Sequence, residues 1–412
     1  MMYKTIRFGD LYSIASRNGL SKPSKVRGSG YKMINMGELF SNNRIYDIPM
    51  EFVPLKESEK VNAKVEVGDL LFARQSLVLE GAGKCSIVME VSPLTVFESH
   101  LIRVRLKEEV NPMFYYYYFA SPLSPMKSIV SQCAQAGIRA SDLQELNVIC
   151  PPKDIQDKIA NILEQYDNII ENSQKQIKLL EEVAQRLYKD WFVDLRFPGY
   201  EDVKIVDGVP EGWTEKNMED ICDSIGGGTP STKVDEYYHG GKIKWVTPTD
   251  ITRKSGLILL DTDKKITEEG LYNSSAKMVP PYTILMTSRA SIGFFGLCEY
   301  EVCTNQGFIS CIPYQTNVRF YLLYNLIYRV DEIRAKASGS TFLEISKKTF
   351  RKLRIILPSE YVLDEFTKQM HHMIREMEVL TKSILKLQEA RDRLLPKLMS
   401  GEVEITSRNL NE

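Results

Sequence analysis

The chain has 412 residues, of which 43% are hydrophobic and 26% charged; these proportions are typical of globular protein, and the length predicts two to four domains. The formal net charge of −1 excludes a protein that holds polyanions through overall charge alone, so any basic surface must arise from uneven placement of charges in the fold. Seven scattered cysteines, no apolar run long enough for a membrane span and no signal-peptide pattern predict a reduced, cytoplasmic protein without a disulfide framework or membrane anchor.

Residues 1–146 are predicted to form a first globular region, in which short β-like runs at residues 69–73 and 101–105 alternate with turns. The most basic loop spans residues 21–29 and contains three cations and no acid: Lys22, Lys25 and Arg27. Such a loop either faces phosphates or is simply solvated. The other candidate nucleic-acid contacts of this region are Arg74, Gln75 and Arg139. The spacing of the tyrosines at residues 115–118, followed by Phe119, favours one face of an amphipathic helix that packs in the core over a base-stacking surface.

Residues 147–196 are predicted to form a first helical spacer. A short strand-like piece ends at Pro151 and Pro152, and a helix of about 36 residues begins near Asp154, a suitable N-cap. Residues 196–212 are rich in turn-forming residues and indicate a linker.

A second globular region, with its linker, is predicted over residues 197–353, and a second helical spacer with a frayed tail over residues 354–412. Pro396 is expected to kink this second helix or to end it near Leu395. Short segments of the two globular regions match as well: residues 31–34 with 243–246, and residues 69–73 with 283–287.

The two helical spacers repeat one pattern at a constant offset of 207 residues. Their apolar positions alternate in steps of three and four, as in the seam of a coiled coil. The predicted seam and partner-docking residues of the first helix are Ile155, Ile159, Tyr166, Ile177, Leu180, Leu187 and Trp191. Those of the second helix are Phe366, Met373, Met377, Ile384, Leu387 and Leu394.

The order head–helix–head–helix favours antiparallel pairing of the two helices within one chain. Such pairing would relate the two halves of the chain by a pseudo-two-fold axis and place the heads at opposite ends. The distance between the heads would then suit two DNA half-sites about one helical turn, ~34–36 Å, apart. Pairing with a second chain, or packing as ordinary core helices of a larger domain, is the alternative. The predicted fold class is therefore α+β, with two similar globular heads joined by two long antiparallel helices.

The second head contains the best-defined polar segments. Residues 226–233 form a loop of glycines, hydroxyls and a lysine, suited to phosphate contacts but also to a flexible turn. Polar residues follow apolar runs at residues 247–250, 288–291 and 304–307. Arg289 could form two hydrogen bonds with guanine, and Asn305 or Gln306 could do so with adenine. The alternative is that these amides are buried and cap loops. Trp245 is interpreted as core. The candidate contacts are Gly228, Thr229, Ser231, Thr232, Lys233, Thr247, Ser288, Arg289, Asn305, Gln306, Ser340 and Thr341.

Known catalytic motifs are incomplete in this sequence. Residues 111–114 resemble the loop of amino-methyltransferases, but Met113 stands where that loop has its second proline. Residues 81–85 resemble the end of a phosphate-binding loop, but Cys85 replaces its hydroxyl residue. Four histidines leave little material for a metal site or a catalytic triad. We therefore predict a non-catalytic chain with no metal and no cofactor of its own.

Over nearly its whole length the chain resembles the specificity subunit of type I restriction–modification systems. The resemblance rests on Gly227-Gly228-Thr229-Pro230, Trp245-Val246-Thr247-Pro248, Ser288-Arg289-Ala290-Ser291, Thr304-Asn305-Gln306-Gly307 and Ala337-Ser338-Gly339-Ser340-Thr341-Phe342. The first head lacks the Gly-Gly-Thr-Pro signature, so the resemblance assigns no residues there.

The resemblance implies two target-recognition domains, residues 1–146 and the second head, that each read one half of a split, asymmetric sequence in double-stranded DNA. The helices would set the unread gap and dock two modification subunits, which bind S-adenosylmethionine and methylate adenine. Restriction subunits that use ATP and magnesium would complete the complex. A stand-alone DNA adenine methyltransferase and a coiled-coil scaffold with two protein-binding heads are the alternatives.

Overall fold

The computed structural model describes residues 3–132, 136–254, 256–339 and 342–403. The chain divides into two compact units: unit 1 comprises Met1–Asn168 and Leu387–Glu412, and unit 2 comprises Ile169–Lys386. Both divisions fall inside a long helix. Each unit therefore contains one globular head, called head 1 or head 2, together with segments of both long helices.

Two of the helices are far longer than the rest. The helices are α1 Met36–Ser41, α2 Glu57–Asn62, α3 Pro112–Ala120, α4 Ala140–Glu145, α5 Lys153–Phe192, α6 Met218–Ile221, α7 Pro248–Thr252, α8 Glu268–Tyr272, α9 Val318–Tyr328, α10 Val330–Ala335, α11 Lys347–Arg351 and α12 Glu360–Ser400. At 1.5 Å per residue, the 40 residues of α5 and the 41 of α12 each extend about 60 Å.

The ends of the long helices differ from the sequence prediction. Helix α5 begins at Lys153, so Asp154 lies in the first turn, where its charge suits the positive end of the helix dipole. Helix α12 continues through Pro396 to Ser400, so of the two predicted effects of this proline, a kink or an end near Leu395, the end was wrong. Leu395, Leu398 and Met399 are buried in the core of unit 1, and this packing holds the last turns helical around the proline.

Head 1 is built on a five-stranded sheet with the order β2-β10-β6-β8-β4. Smaller sheets are β5-β3-β9 and β11-β12-β7, and β1 pairs with β13. The strands are β1 Thr5–Arg7, β2 Tyr12–Asn18, β3 Tyr31–Ile34, β4 Arg44–Ile45, β5 Glu51–Val53, β6 Leu70–Ala73, β7 Gln75–Ser76, β8 Cys85–Val88, β9 Val96–Phe97, β10 Leu101–Leu106, β11 Ser131–Gln132, β12 Ala136–Gly137 and β13 Asn147–Ile149.

Head 2 repeats this scheme. Its sheets have the orders β17-β24-β21-β22 and β19-β18-β23-β20, while β16 pairs with β25 and β14 with β15. The strands are β14 Ile205–Val206, β15 Val209–Pro210, β16 Thr214–Asn217, β17 Cys222–Gly226, β18 Ile243–Val246, β19 Lys265–Ile266, β20 Met278–Val279, β21 Ile284–Thr287, β22 Phe295–Gly296, β23 Val302–Thr304, β24 Phe308–Pro313 and β25 Arg354–Leu357. A parallel pair occurs in both heads, β3 with β9 and β18 with β23. The prediction of two similar α+β heads with two long helices is confirmed.

In unit 1, segments of both long helices close the aromatic core of head 1. Ile159 and Leu163 of α5 and Leu398 of α12 belong to the same buried cluster as Phe72 and Tyr115. All residues of α3 from Met113 to Phe119 are buried, so the tyrosine run forms core, as predicted. Asp167 of α5 pairs with Arg391 of α12, and the two helix segments run antiparallel within this unit.

In unit 2, the other segments of the same helices pack on head 2. Ala184 and Tyr188 of α5 share a buried cluster with Met370 of α12 and the core of the head. The ring of Phe366 lies 4.9 Å from that of Phe192 and 5.8 Å from that of Trp191. The segments are antiparallel here as well.

None of the predicted seam residues is exposed. Ile159, Ile177, Phe366 and Met377 are buried, and the other nine are half-buried. The buried face also includes residues beside the predicted seam that the prediction missed: Ala160, Leu163, Asp167, Met370 and Ile374. Each helix packs on a head as well as on the other helix, so its buried face is wider than a coiled-coil seam.

Candidate nucleic-acid interface

Four polar segments of head 2 meet at one edge of the head. They are residues 227–233, 247–250, 288–291 and 305–307, and each directly follows a strand, β17, β18, β21 or β23. Backbone hydrogen bonds join them: Gly228 N–H donates to the Thr304 carbonyl at 2.9 Å, Asn305 N–H to Val246 at 3.0 Å and Ser288 N–H to Gly307 at 2.8 Å. The four segments are called the head 2 rim.

The glycines of the rim allow a close approach of backbone to backbone. A Cβ atom on Gly227 would lie 2.0 Å from the Thr304 carbonyl oxygen, and one on Gly228 would lie 2.2 Å from Ser275 Oγ. Trp245 Nε1 donates to the Gly228 carbonyl at 3.0 Å and is buried, as predicted for a core residue. Gly228 is itself buried, so its contribution is to shape the loop rather than to contact a ligand through its own surface.

The exposed part of this loop consists of hydroxyls and a lysine. Thr229, Ser231, Thr232 and Lys233 are exposed, and Tyr238 fixes the loop by donating its hydroxyl to the Pro230 carbonyl at 2.6 Å. The Thr229 hydroxyl donates to Gln306 Oε1, which orients the exposed amide of Gln306. These donors are therefore presented to solvent on a braced backbone.

Two predicted readers are already engaged in the architecture of the rim. The Thr247 amide and hydroxyl donate to Asp250 Oδ2 at 2.7 and 2.6 Å and cap α7. Asn305 Oδ1 accepts from Gly307 N–H at 2.8 Å. The side chain of Asn305 therefore caps its own loop, which is the alternative to base reading that the sequence left open.

Arg289 is an exposed cation of the rim, as is Lys233. Its Nε lies 3.8 Å from Glu344 Oε2, with 44% of the side chain accessible, and its guanidinium lies 5.7 Å from the centre of the Phe342 ring. Such a long, exposed ion pair is easily exchanged for a ligand. Ser288 beside it is buried, which removes it from the set of surface contacts. Ser340 and Thr341 lie outside the described residues.

Head 1 repeats the backbone of this rim with other side chains. Leu20 N–H donates to the Phe97 carbonyl at 2.8 Å, Glu98 N–H to Ile34 at 3.0 Å and Arg74 N–H to His100 at 2.8 Å. A Cβ atom on Gly19 would lie 2.1 Å from the Phe97 carbonyl oxygen, as at Gly227. Residues 19–29, 35–38, 74–75 and 98–100 therefore form the head 1 rim. Gly19 allows the same close approach of backbone to backbone as the Gly-Gly pair of head 2. A single glycine is not a recognisable motif, so the sequence did not identify it.

The basic loop of head 1 is less basic in the fold than in the sequence. Lys22 Nζ donates to Glu59 Oε2 at 2.8 Å, and this hydrogen bond lowers the pKa of the Glu59 carboxyl. The Arg27 guanidinium pairs with Glu51 and contacts Asn35 Oδ1 at 3.2 Å. The loop itself contains no acid, but acids distant in sequence neutralise two of its three cations. Lys25 is exposed.

The sequence prediction missed Glu98 and His100 in the head 1 rim. Glu98 occupies the position of Asn305 and accepts from the amide of Met36, the first residue of α1. In head 2 that first helical residue is Pro248, which has no N–H. His100 is exposed, with Nδ1 3.5 Å from Glu98 Oε2.

The remaining candidates of head 1 lie close to this rim. Arg74 donates weakly to the Ser99 carbonyl, at 3.4 Å, and is half-buried. Gln75 follows it in β7 and pairs with Gly137. Arg139 is exposed and immediately precedes α4. Within the described ranges there is no cluster of three or more residues suited to a metal ion, and none of the helices there is long and apolar enough to cross a membrane.

A family model described as the type I restriction modification DNA specificity domain matches residues 2–182 and 210–387 of this chain. Each match covers one head and much of the long helix that follows it. The repeat of 207 residues and the repeated rim therefore coincide with a repeated family domain.

Individual relatives agree with the family model. The specificity subunit of the type I restriction enzyme MjaIX from Methanocaldococcus jannaschii is 34% identical over 188 residues, which cover 43% of each chain. A putative MjaX specificity subunit from the same organism is 23% identical over 407 residues, 94% of this chain and 91% of that one. The crystal structure of a type I restriction–modification S subunit from M. genitalium has the same fold, with a TM-score of 0.59, 16% identity and coverage of 98% and 97%.

Proposed function

Because this chain belongs to the family of type I restriction–modification DNA specificity subunits, which recognise DNA and are not themselves catalytic, we propose that its two heads read different halves of one split DNA site. The observation that supports this proposal is one rim backbone built twice with different side chains. A shared backbone suits the same task in both heads, and different side chains suit different base sequences.

In head 2, we assign base reading to Arg289 and Gln306. Both are exposed on rim segments whose backbones are fixed by hydrogen bonds. A guanidinium can donate two hydrogen bonds to O6 and N7 of guanine, and an amide can bind N6 and N7 of adenine. The hydroxyls of Ser231 and Thr232 and the ammonium of Lys233 would contact phosphates and fix the register of the head.

In head 1, we assign base reading to Gln75, which has the position of Arg289, and to the exposed His100, which lies one residue after the position of Gln306. Gln75 follows Arg74 as Arg289 follows Ser288, and His100 takes the place of Gly307. The exposed cations Lys25 and Arg139 are assigned to phosphates. Since an amide replaces the guanidinium of Arg289 and an imidazole is added at the position of Gly307, we expect the two half-sites to differ and the whole site to be asymmetric.

The long helices are proposed to set the unread gap between the half-sites and to dock two modification subunits. Exposed large apolar side chains interrupt the polar faces of both helices and support a protein-binding role: Ile169, Leu179, Val183, Tyr361, Val379 and Leu385. S-adenosylmethionine would bind to the modification subunits, and ATP and magnesium to restriction subunits that join the complex. Double-stranded DNA, modification subunits and restriction subunits are thus the proposed partners.

The decisive experiment is to co-express this chain with the modification subunit encoded beside it in a host without DNA methylation, and to map methyladenine by long-read sequencing. We expect a two-part motif with a fixed gap that disappears when this chain is omitted. Arg289→Ala should alter one half of the motif only. A stable complex of the two proteins that methylates no defined sequence would contradict the proposal and favour a scaffold function.

A further inference from the structure

Helix α11 and the residues around it form a basic surface on head 2. Between Arg334 and Arg354 the sequence has seven lysines or arginines and one acid, Glu344. Three arginines in this stretch have nearby partners: Arg334 pairs with Asp331, Arg351 donates to Ser224 and Arg354 pairs with Glu215. The four lysines, Lys336, Lys347, Lys348 and Lys352, are called the basic patch.

The basic patch is poorly neutralised. Lys336 Nζ lies 3.8 Å from Glu332, at the limit of an ion pair, and no described acid pairs with the other three lysines. Lys336, Lys348 and Lys352 line a cleft of about 270 Å³ together with Thr349 and Leu353. All three lysines are exposed. Ammonium groups that surround a cleft without a carboxylate repel one another, and an anion in the cleft would relieve that repulsion.

The patch is continuous with the head 2 rim. Ile345 N–H donates to the Ser288 carbonyl at 3.0 Å, which ties the segment before α11 to Arg289. A Cβ atom on Gly226 would lie 3.0 Å from Lys347 Nζ, so this lysine lies beside the start of the glycine loop. Arg351 Nε donates to Ser224 Oγ at 2.8 Å and anchors α11 on β17. A duplex held at the rim would therefore present its backbone to the patch.

Head 1 has the same backbone here without the lysines. Ile138 N–H donates to the Arg74 carbonyl at 2.9 Å, as Ile345 does to Ser288. At the offset of 207 residues, the four lysines correspond to Ile129, Ala140, Ser141 and Glu145, and Glu145 pairs with Arg7 at 3.2 Å. The fold therefore forms without a basic patch, and the lysines of head 2 have no role that the fold requires.

We propose that the basic patch binds backbone phosphates of duplex DNA beside the half-site that head 2 reads. This inference rests on the proposed function and adds a contact that is independent of base sequence and present in one head only. Head 2 then holds the DNA backbone through a contact that head 1 lacks.

The salt dependence of DNA binding tests the proposal. The variant Lys348→Gln/Lys352→Gln, in complex with the modification subunit, is titrated with a labelled duplex of arbitrary sequence at several salt concentrations. Each phosphate contact contributes about 0.9 to the slope of log K against log salt, so the slope should fall by about 1.8 and the affinity at 0.1 M salt by about 60-fold. Lys348→Arg/Lys352→Arg should retain the wild-type slope. The matched control is Lys204→Gln/Lys386→Gln, which removes two exposed lysines on the linker and α12.

The outcomes separate this inference from the proposed function. A wild-type slope for the glutamine variant, in a complex that binds DNA, would overturn the patch and leave the function intact. A wild-type complex that binds no duplex would overturn the function itself. Loss of the modification subunit from the variant during size-exclusion chromatography would mean that the lysines meet an acidic protein surface, and would also overturn the inference.

Discussion

A polar network buried in unit 1 connects head 1 to both long helices. Tyr117 of α3 donates its hydroxyl to Asp167 Oδ2 at 2.8 Å, and Arg391 of α12 pairs with Asp167 Oδ1. Asp167 is 6% exposed, so its charge depends on these two partners. Burial raises the pKa of Tyr117, which keeps its hydroxyl protonated as a donor. At the offset of 207 residues, unit 2 has Ile374 for Asp167 and Ala184 for Arg391, both buried in its core.

Arg391→Ala would leave the Asp167 carboxylate buried with one neutral donor. Removal of one partner from a buried ion pair costs about 3–5 kcal/mol. Since 25% of the Arg391 side chain remains accessible, we expect the lower value, about 3 kcal/mol. The triple variant Asp167→Ile/Arg391→Ala/Tyr117→Phe introduces the apolar residues of unit 2 at the first two positions and removes the hydroxyl that would be left without its acceptor, although unit 2 has Tyr324 at the third position. It should regain most of the lost stability.

Differential scanning calorimetry of the full chain measures both effects. For a unit of this size, 1 kcal/mol corresponds to about 2–4 °C in Tm, so Arg391→Ala should lower the unit 1 transition by about 6–12 °C. Arg393→Ala, an exposed neighbour on α12, is the control. A Tm within about 1 °C of wild type for Arg391→Ala would refute the buried network. A triple variant as unstable as the single one would refute the equivalence with unit 2.

Four further substitutions should separate recognition, core packing, partner docking and pH dependence. Arg289→Ala should weaken binding to one half-site by about 1–3 kcal/mol; an equal loss on unrelated duplexes in titrations would instead identify a phosphate contact. Ile177→Asp places a charge in the unit 2 core and should lower its Tm, whereas Leu179→Asp, at an exposed site, should lower only modification-subunit binding in pull-down assays. Burial lowers the pKa of Lys254 from 10.5 to about 7. Between pH 7 and about pH 10, Lys254 is therefore protonated in the unfolded chain but largely neutral in the folded one, so the free energy of unfolding of unit 2 should rise with pH, by up to about 1.4 kcal/mol for each pH unit. Lys254→Met should abolish this rise, as measured by urea titrations at several pH values.

The sequence predicted those features that local pattern determines. Apolar residues spaced alternately by three and four positions identified both long helices. Polar residues that follow apolar runs identified the segments that meet in the head 2 rim. The predicted seam of α5 omitted Leu163 and Asp167, which are buried beside it. That error arose because the helix packs on a head as well as on a helix, and a single seam pattern describes only one of these contacts.

Contacts between distant residues were beyond the reach of the sequence pattern. Lys22 and Arg27 form a basic loop in the sequence, yet Glu59 and Glu51 neutralise them in the fold. Glu98 and His100 stand in no recognisable motif; the offset of 207 residues aligns them with Asn305 and Gly307, but only the hydrogen bonds of the rim show that these positions are equivalent in the fold. Recognition residues of this kind are found through their backbone partners rather than through their identity.

The contact of Glu98 with the amide of Met36 has a consequence for protein engineering. If Asn305 were transplanted into head 1 alone, the Met36 amide would lose its acceptor. If Pro248 were transplanted without Asn305, the Glu98 carboxylate would lose its donor. A rim side chain and the first residue of the neighbouring helix therefore have to be exchanged together. New DNA specificities should accordingly be made by grafting whole heads, cut within the long helices, rather than by exchanging single rim residues.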